Sequence, residues 1–143
     1  MRRQDKYPDT KTFHYYNANP KNRLTTDCVV RAIATAVIWE DAYNTVIKEM
    51  AHFQIKTGFD PGDGSVGMDK FLTSIGFTKR KQPRKSDNTK YTGKEFCEMI
   101  GKEHKRIVAN IGGNHTVAII KGQVWDTWNS TGKTIGNYWE YHV

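Results

Sequence analysis

The sequence contains no apolar run of the roughly 20 residues that a membrane-spanning helix needs. Its longest apolar-rich run, from Cys28 to Trp39, is interrupted by Arg31. Residues 1–5 are charged and no apolar stretch follows them, so a secretory signal is not expected. We therefore expect the protein to be made and kept in the cytoplasm, with no membrane partner.

Cysteine is scarce, since the chain has only Cys28 and Cys97. Two cysteines do not make a disulfide framework, and in a reducing compartment both are expected to be thiols. His14, His52 and His142 have no cysteine or histidine at ligand spacing, which argues against a structural zinc site. We expect neither a metal nor another cofactor.

Internal repeats, low-complexity tracts and a domain boundary are also lacking. The chain has 143 residues, and 37% of them are apolar. This size and composition fit one globular domain over residues 1–143.

The net charge of +7 is moderate. Basic residues cluster at 79–81 and at Arg84, Lys85 and Lys90, in a segment with Pro83 that is expected to be an exposed loop. No aromatic residues interleave with them, so a stacking platform for single-stranded nucleic acid has no support. The charge favours solubility or an acidic protein or peptide partner, and nucleic acid remains open.

The first hundred residues are expected to be mainly helical. Residues 1–24 are polar and are expected to be irregular. Thr25 or Thr26 is expected to cap a first helix. The expected helices are 25–37, 41–56, a short helix capped by Ser65 and closed by Gly76, and a helix to Ile100 that begins with the capping box at 92–95.

From Arg106 the pattern changes to strands. Alternation and turn signals predict strands at 106–111, 115–120, 123–128 and 138–143. Helices followed by a strand meander indicate the α+β class, with N-terminal helices packed on a C-terminal antiparallel sheet.

Cys28 falls in the first turn of the first predicted helix. The free amides and dipole of a helix N-terminus favour a thiolate, and a neighbouring imidazolium favours it further. A buried core cysteine on the same helix is the competing interpretation, and placement alone does not separate the two. Cys97 lies among Phe96, Met99 and Ile100 and is expected to be a core thiol.

A histidine and a carboxylate meet on the predicted sheet. With Lys121-Gly122 as a two-residue turn, residues whose numbers sum to 243 pair, so His115 and Asp126 are diagonal neighbours on one face. Asp126 can then orient the His115 ring. Trp128 lies opposite His115 and is a candidate wall of the site. A three-residue turn would instead bring Asn129 opposite His115, so Asn129 is the alternative third member.

The segment 22–32 around Asp27-Cys28, followed far downstream by His115-Thr116-Val117-Ala118-Ile119 and by Asp126, resembles the papain-like cysteine peptidases. The closest motif match is with the double-glycine leader peptidases that mature bacteriocins. The resemblance implies a papain-like fold and acyl transfer to Cys28, with His115 as base and Asp126 as the third member. Asn22 stands where that family has its oxyanion-hole glutamine, six residues before the cysteine. A small protein of this kind would suit a phage or mobile element.

The function expected on this basis is hydrolysis of a peptide or isopeptide bond. A thiol acyltransferase or deamidase would use the same three residues, and the sequence does not separate it from a hydrolase. The non-enzyme alternative is a basic interaction protein on a decayed peptidase scaffold, which binds a host protein or nucleic acid.

Overall fold

The computed structural model describes residues 1–64, 66–100, 103 and 105–142. The expectations for a cap at Ser65 and for the last residue of the final strand, Val143, lie outside these residues. Five helices are present in the described ranges: α1 Arg3–Lys6, α2 Cys28–Ala36, α3 Ala42–Thr57, α4 Gly67–Ser74 and α5 Gly93–Ile100. The six strands are β1 Phe13–Tyr15, β2 Phe77–Arg80, β3 Arg106–Ile111, β4 His115–Ile120, β5 Gln123–Asp126 and β6 Ile135–Tyr141.

The strands form one six-stranded sheet in the order β1-β5-β4-β3-β6-β2. Its centre is the predicted antiparallel meander of β3, β4 and β5, with β6 paired to the other edge of β3. The mixed α and β composition is therefore confirmed. The expected purely antiparallel, C-terminal sheet is wrong, because β1 pairs with β5 in parallel and β2 pairs with β6.

Both additional strands are short and lack a clear alternating pattern. β1 has three residues, of which Phe13 is fully buried, within the segment 1–24 that was expected to be irregular. In β2 only Phe77 is buried, and the rest of the strand carries the exposed Lys79 and Arg80 that were expected in a loop. Charged side chains on an edge strand discourage pairing with another chain.

Helices cover both faces of the sheet. One apolar cluster joins Ile33 of α2, Val46 of α3 and Phe71 of α4 to Val108 and other sheet residues. The second cluster places Phe96 and Cys97 of α5 against the opposite face. Within the described ranges, no helix combines the length and the apolar character that crossing a bilayer requires.

The turn between β4 and β5 has the predicted length and register. Lys121 and Gly122 both have positive φ angles, of 50° and 75°, as a two-residue type I′ hairpin turn requires. Ile120 therefore pairs with Gln123, and the strands run antiparallel back to the site. As a result, the first residue of β4, His115, and the last residue of β5, Asp126, lie at the same end of the sheet.

Candidate active site

Cys28 is the first residue of α2 and is half-buried. The residue before it, Asp27, is the N-cap, and its side chain makes no capping hydrogen bond. The expected cap at Thr25 or Thr26 is therefore wrong, because the helix begins later and the Asp27 carboxylate bonds to other side chains. The first intrahelical bond of α2 runs from the Arg31 amide to the Asp27 carbonyl. The amides of the first turn, including that of Cys28, thus have no partner within α2, and such a helix N-terminus favours an anion.

His115 joins Cys28 to Asp126. Its Nε2 lies 2.6 Å from Asp126 Oδ2. Because a carboxylate oxygen accepts, Nε2 carries the proton, and Nδ1 is left for the thiol. Cys28 and His115 line the same concave surface, and the ring lies near enough to the thiol to lower its pKa, so cysteine, histidine and aspartate are neighbours in that order. The expected proximity of His115 and Asp126 is confirmed.

The surroundings of Cys28 favour its thiolate. The hydrogen bond with His115 lowers the pKa of the Cys28 thiol, against the opposing effect of burial. The backbone amide of Thr116 and the charges of His115 and Arg31 lower this pKa further.

The ring of His115 is held in its charged form. Burial of the ring opposes its charge, but hydrogen bonds with Asp126 and Cys28 outweigh burial and raise the pKa of His115 to about 9. A thiolate beside an imidazolium is the reactive form of a cysteine nucleophile.

These shifts predict a pH window for the reactivity of Cys28. The thiolate is present above the lowered pKa of Cys28 and is lost as the pH falls through it. The imidazolium of His115 is present below about pH 9 and is lost above it. The rate of Cys28 alkylation by iodoacetamide, measured against pH, should therefore have its midpoint at a lower pH than that of a free thiol. Peptide mass mapping would locate the label.

Cys97 is the internal control for that titration. It is 1% exposed, and burial raises the pKa of its thiol to about 12. Native protein should take up label at Cys28 and not at Cys97 over the whole window. A midpoint for Cys28 at the free-thiol value would contradict the ion pair.

Asn129 does not face His115. Its Oδ1 accepts hydrogen bonds from the amide and hydroxyl of Thr131, at 3.0 and 2.6 Å. The alternative register that would have placed Asn129 opposite His115 is not present, because the turn has two residues. Asp126 is therefore the side chain that hydrogen-bonds to the His115 ring.

Trp128 lies just beyond β5, because the strand ends at Asp126 instead of continuing to Trp128 as expected. Its ring contacts that of His115 in a tilted geometry, with centroids 5.0 Å apart and an interplanar angle of 40°. The indole thus lies against one side of the imidazole.

Asn22 lies in an exposed turn with a left-handed φ of 54°. Its Oδ1 accepts from Asn17 Nδ2 at 3.4 Å, which leaves its Nδ2 available to donate. Leu24, Thr25 and Thr26, which follow this turn, line the Trp128 lobe of the cleft, whereas Asn22 is not among the described residues that line either lobe. The role of Asn22 as an oxyanion donor stays a prediction.

The cleft has two lobes, which share Cys28, Asn114 and His115. The Trp128 lobe, about 550 Å³, is also lined by Arg3, Leu24, Thr25, Thr26, Arg31, Thr127 and Trp128. The Gly62 lobe, about 410 Å³, is also lined by Val29, Gly62, Gly64, Met68, Asn110, Gly113 and Thr116. Cys28 and His115 thus lie between two concave surfaces.

Another cavity, of about 620 Å³, lies near Lys11, Cys97 and Gln123. It is larger than either lobe, but burial raises the pKa of the Cys97 thiol and so disfavours a thiolate there. In the described part of the chain, no cluster of three or more His, Cys, Asp or Glu side chains could hold a metal ion.

The sequence did not predict that Arg31 and Asp27 form ion pairs next to His115 and Asp126. Arg31 Nη1 lies 2.6 Å from Asp126 Oδ1, and Arg31 Nε lies 2.8 Å from Asp27 Oδ1. An arginine among apolar residues of a helix, four residues after an aspartate, was the available signal.

Comparisons with protein-family models, with curated proteins and with solved structures gave no match to this chain. The chemistry of the site is therefore inferred from its geometry.

Proposed function

We propose that the protein is a cysteine hydrolase that cleaves a peptide or isopeptide bond, on a papain-like arrangement of helix and sheet. The observation that carries this proposal is the connected chain of Cys28, His115 and Asp126, with the thiol at a helix N-terminus. We place the activity in the cytoplasm, where a reducing environment keeps a nucleophilic cysteine such as Cys28 as a thiol.

The acylation step begins with the ion pair. The Cys28 thiolate attacks the substrate carbonyl carbon, and a C–S bond forms as negative charge develops on the carbonyl oxygen. The C–N bond then breaks, and the His115 imidazolium gives its proton to the departing amine. The products of this step are a thioester on Cys28 and a free amine.

Deacylation uses the same groups in the opposite roles. Neutral His115 takes a proton from water, the resulting hydroxide attacks the thioester, and the C–S bond breaks to release a carboxylic acid. The Cys28 thiolate and the His115 imidazolium are regenerated. Asp126 fixes the ring and stabilises its charged form throughout.

The oxyanion needs donors on the Cys28 side of the cleft. The backbone amide of Cys28 is one, because it has no partner within α2. We assign the second to Nδ2 of Asn22. Asn22→Ala should then lower turnover about 10²-fold, measured with a p-nitrophenyl ester.

The matching control for this variant is the alkylation of Cys28. Because Asn22 acts on the oxyanion and not on the thiol, its replacement should leave the pH profile of alkylation as in the wild type. Turnover equal to that of the wild type would instead show that the second donor lies elsewhere in the cleft.

A simple ester tests the proposed function without knowledge of the natural substrate. With p-nitrophenyl acetate, we expect a rapid release of nitrophenolate as Cys28 is acetylated, followed by continued turnover as His115 activates water. Intact mass and peptide mapping would locate the acetyl group on Cys28. Acetylation without turnover would mean a reactive thiol that is not a hydrolase.

The same assay separates hydrolysis from transfer. If an added amine such as glycinamide captures the acetyl group in preference to water, the protein is an acyltransferase. If neither acetylation nor turnover exceeds that of a small thiol, the non-enzyme interpretation stands. Binding of the protein to nucleic acid that weakens steeply as the salt concentration rises would then support a nucleic-acid partner.

A further inference from the structure

The described residues contain a row of buried polar groups that extends from the catalytic aspartate to helix α3. Asp126 is 2% exposed, and the side chains of Arg31 and Asp27 are each 10% exposed. Burial of an arginine with two carboxylates is costly unless each charge is paired. Arg31 meets this condition because its guanidinium bonds to both carboxylates, through Nε and Nη1.

The far end of the row is fixed as well. Tyr43 Oη, on α3, donates to Asp27 Oδ2 at 2.7 Å, and Asn19 Nδ2 donates to the same oxygen at 3.2 Å. Asp27 is therefore held in one position, and it in turn fixes the guanidinium of Arg31. A planar guanidinium with two of its donors occupied has little freedom to rotate.

The near end of the row determines where the Asp126 carboxylate points. Its Oδ1 accepts from Arg31 at 2.6 Å and from the Thr127 amide at 2.7 Å. Its Oδ2 is thereby left for His115. With two donors on Oδ1, the carboxylate is held in an orientation that presents Oδ2 to the imidazole.

We propose that Arg31 is a positioning residue of the active site, which holds the Asp126 carboxylate toward His115 and balances the charge of the cluster beside the Cys28 thiolate. The proposal rests on the proposed function, since it concerns the same nucleophile. Arg31 hydrogen-bonds to Asp126 and Asp27, and its charge acts on the thiolate from the wall of the Trp128 lobe.

The charges of the cluster explain the second part of this role. Asp27, Asp126 and the Cys28 thiolate are negative, and Arg31 and the His115 imidazolium are positive, so the sum is −1. Tyr43 is the other titratable group bonded to the cluster, and Arg3 lies at the rim of the Trp128 lobe. Loss of Arg31 makes the sum −2 in a poorly hydrated place, which disfavours the thiolate.

Three variants separate charge from orientation. Arg31→Met removes the cation, whereas Arg31→Lys keeps the cation but not the planar guanidinium. The double variant Asp27→Asn with Arg31→Met restores the net charge of the cluster to −1. For each, the pH midpoint of Cys28 alkylation reports the charge around the thiol. The turnover of p-nitrophenyl acetate reports the position of Asp126 and His115.

For Arg31→Met we expect the alkylation midpoint to move to higher pH and turnover to fall about 10²-fold. Arg31→Lys should keep the midpoint near that of the wild type and recover part of the turnover. The double variant should return the midpoint toward that of the wild type while turnover stays low. If Arg31→Met does not fold, as circular dichroism would show, Arg31→Lys still carries the test, because it should lower turnover without moving the midpoint.

The outcomes differ for the two proposals. Suppose that Cys28 is activated in the wild type, and that folded Arg31 variants keep the alkylation midpoint and the turnover of the wild type. That result would overturn the positioning role alone and leave Arg31 a structural residue. A wild-type Cys28 that alkylates as a free thiol and does not turn over the ester would overturn both.

Discussion

Replacement of Cys28 by alanine is expected to abolish ester and peptide turnover, with a fall of at least about 10³-fold. Without the sulfur there is no atom to form the thioester. His115 and the oxyanion donors can then only assist direct attack by water. The measurement is continuous release of nitrophenolate, together with the absence of an acetyl adduct in the intact mass.

The fold should survive this change, because Cys28 is half-buried at the first position of α2 and its side chain contributes little packing. The melting temperature should stay within about 5 °C of that of the wild type. Cys97→Ala is the matched control, since it removes the other thiol from the core. It should lower stability and leave turnover unchanged, whereas equal turnover in Cys28→Ala would refute the enzyme proposal.

The parts of the fold that were predictable depend on local chemistry. The capping box is present as expected, with the Thr92 amide bonded to Glu95 at 3.0 Å and the Glu95 amide bonded to Thr92 Oγ1 at 3.1 Å. The β4–β5 hairpin follows from a turn of two residues, and its register places Asp126 beside His115. Both features arise within a few residues of sequence.

The parts that were missed depend on distant partners. The three residues of β1 become a strand only because β5, more than a hundred residues later, provides a paired edge. The Asp27 carboxylate is drawn from capping to Arg31 and Tyr43, and Arg31 bonds to a carboxylate 95 positions away. Short-range patterns contain no record of such contacts, and for this reason the sequence predicted that His115 and Asp126 lie together but not the side chains that surround them.

Replacement of Asp126 by alanine is the second change with a large expected effect, a fall in turnover of about 10³–10⁴-fold. The carboxylate selects the His115 tautomer that leaves Nδ1 for the thiol, and it is one of the groups that raise the pKa of His115 to about 9. Without it, the ring can rotate or adopt the other tautomer, and the imidazolium is less stable. The pH above which the imidazolium is lost should therefore fall.

Loss of this carboxylate also breaks the buried bond with Arg31, which is expected to cost about 3–5 kcal/mol. Asp126→Asn separates the two effects, because an amide keeps the shape and one acceptor oxygen but carries no charge. In folded Asp126→Asn, the NMR titration of the His115 ring should have its midpoint below about 9, the pKa of the wild-type ring.

A matched variant, Asn129→Ala, removes the contacts with Thr131 and should leave both turnover and this titration as in the wild type. If Asn129→Ala proves the more damaging change, or if Asp126→Asn leaves the His115 titration in place, then Asp126 is not the third member of the site.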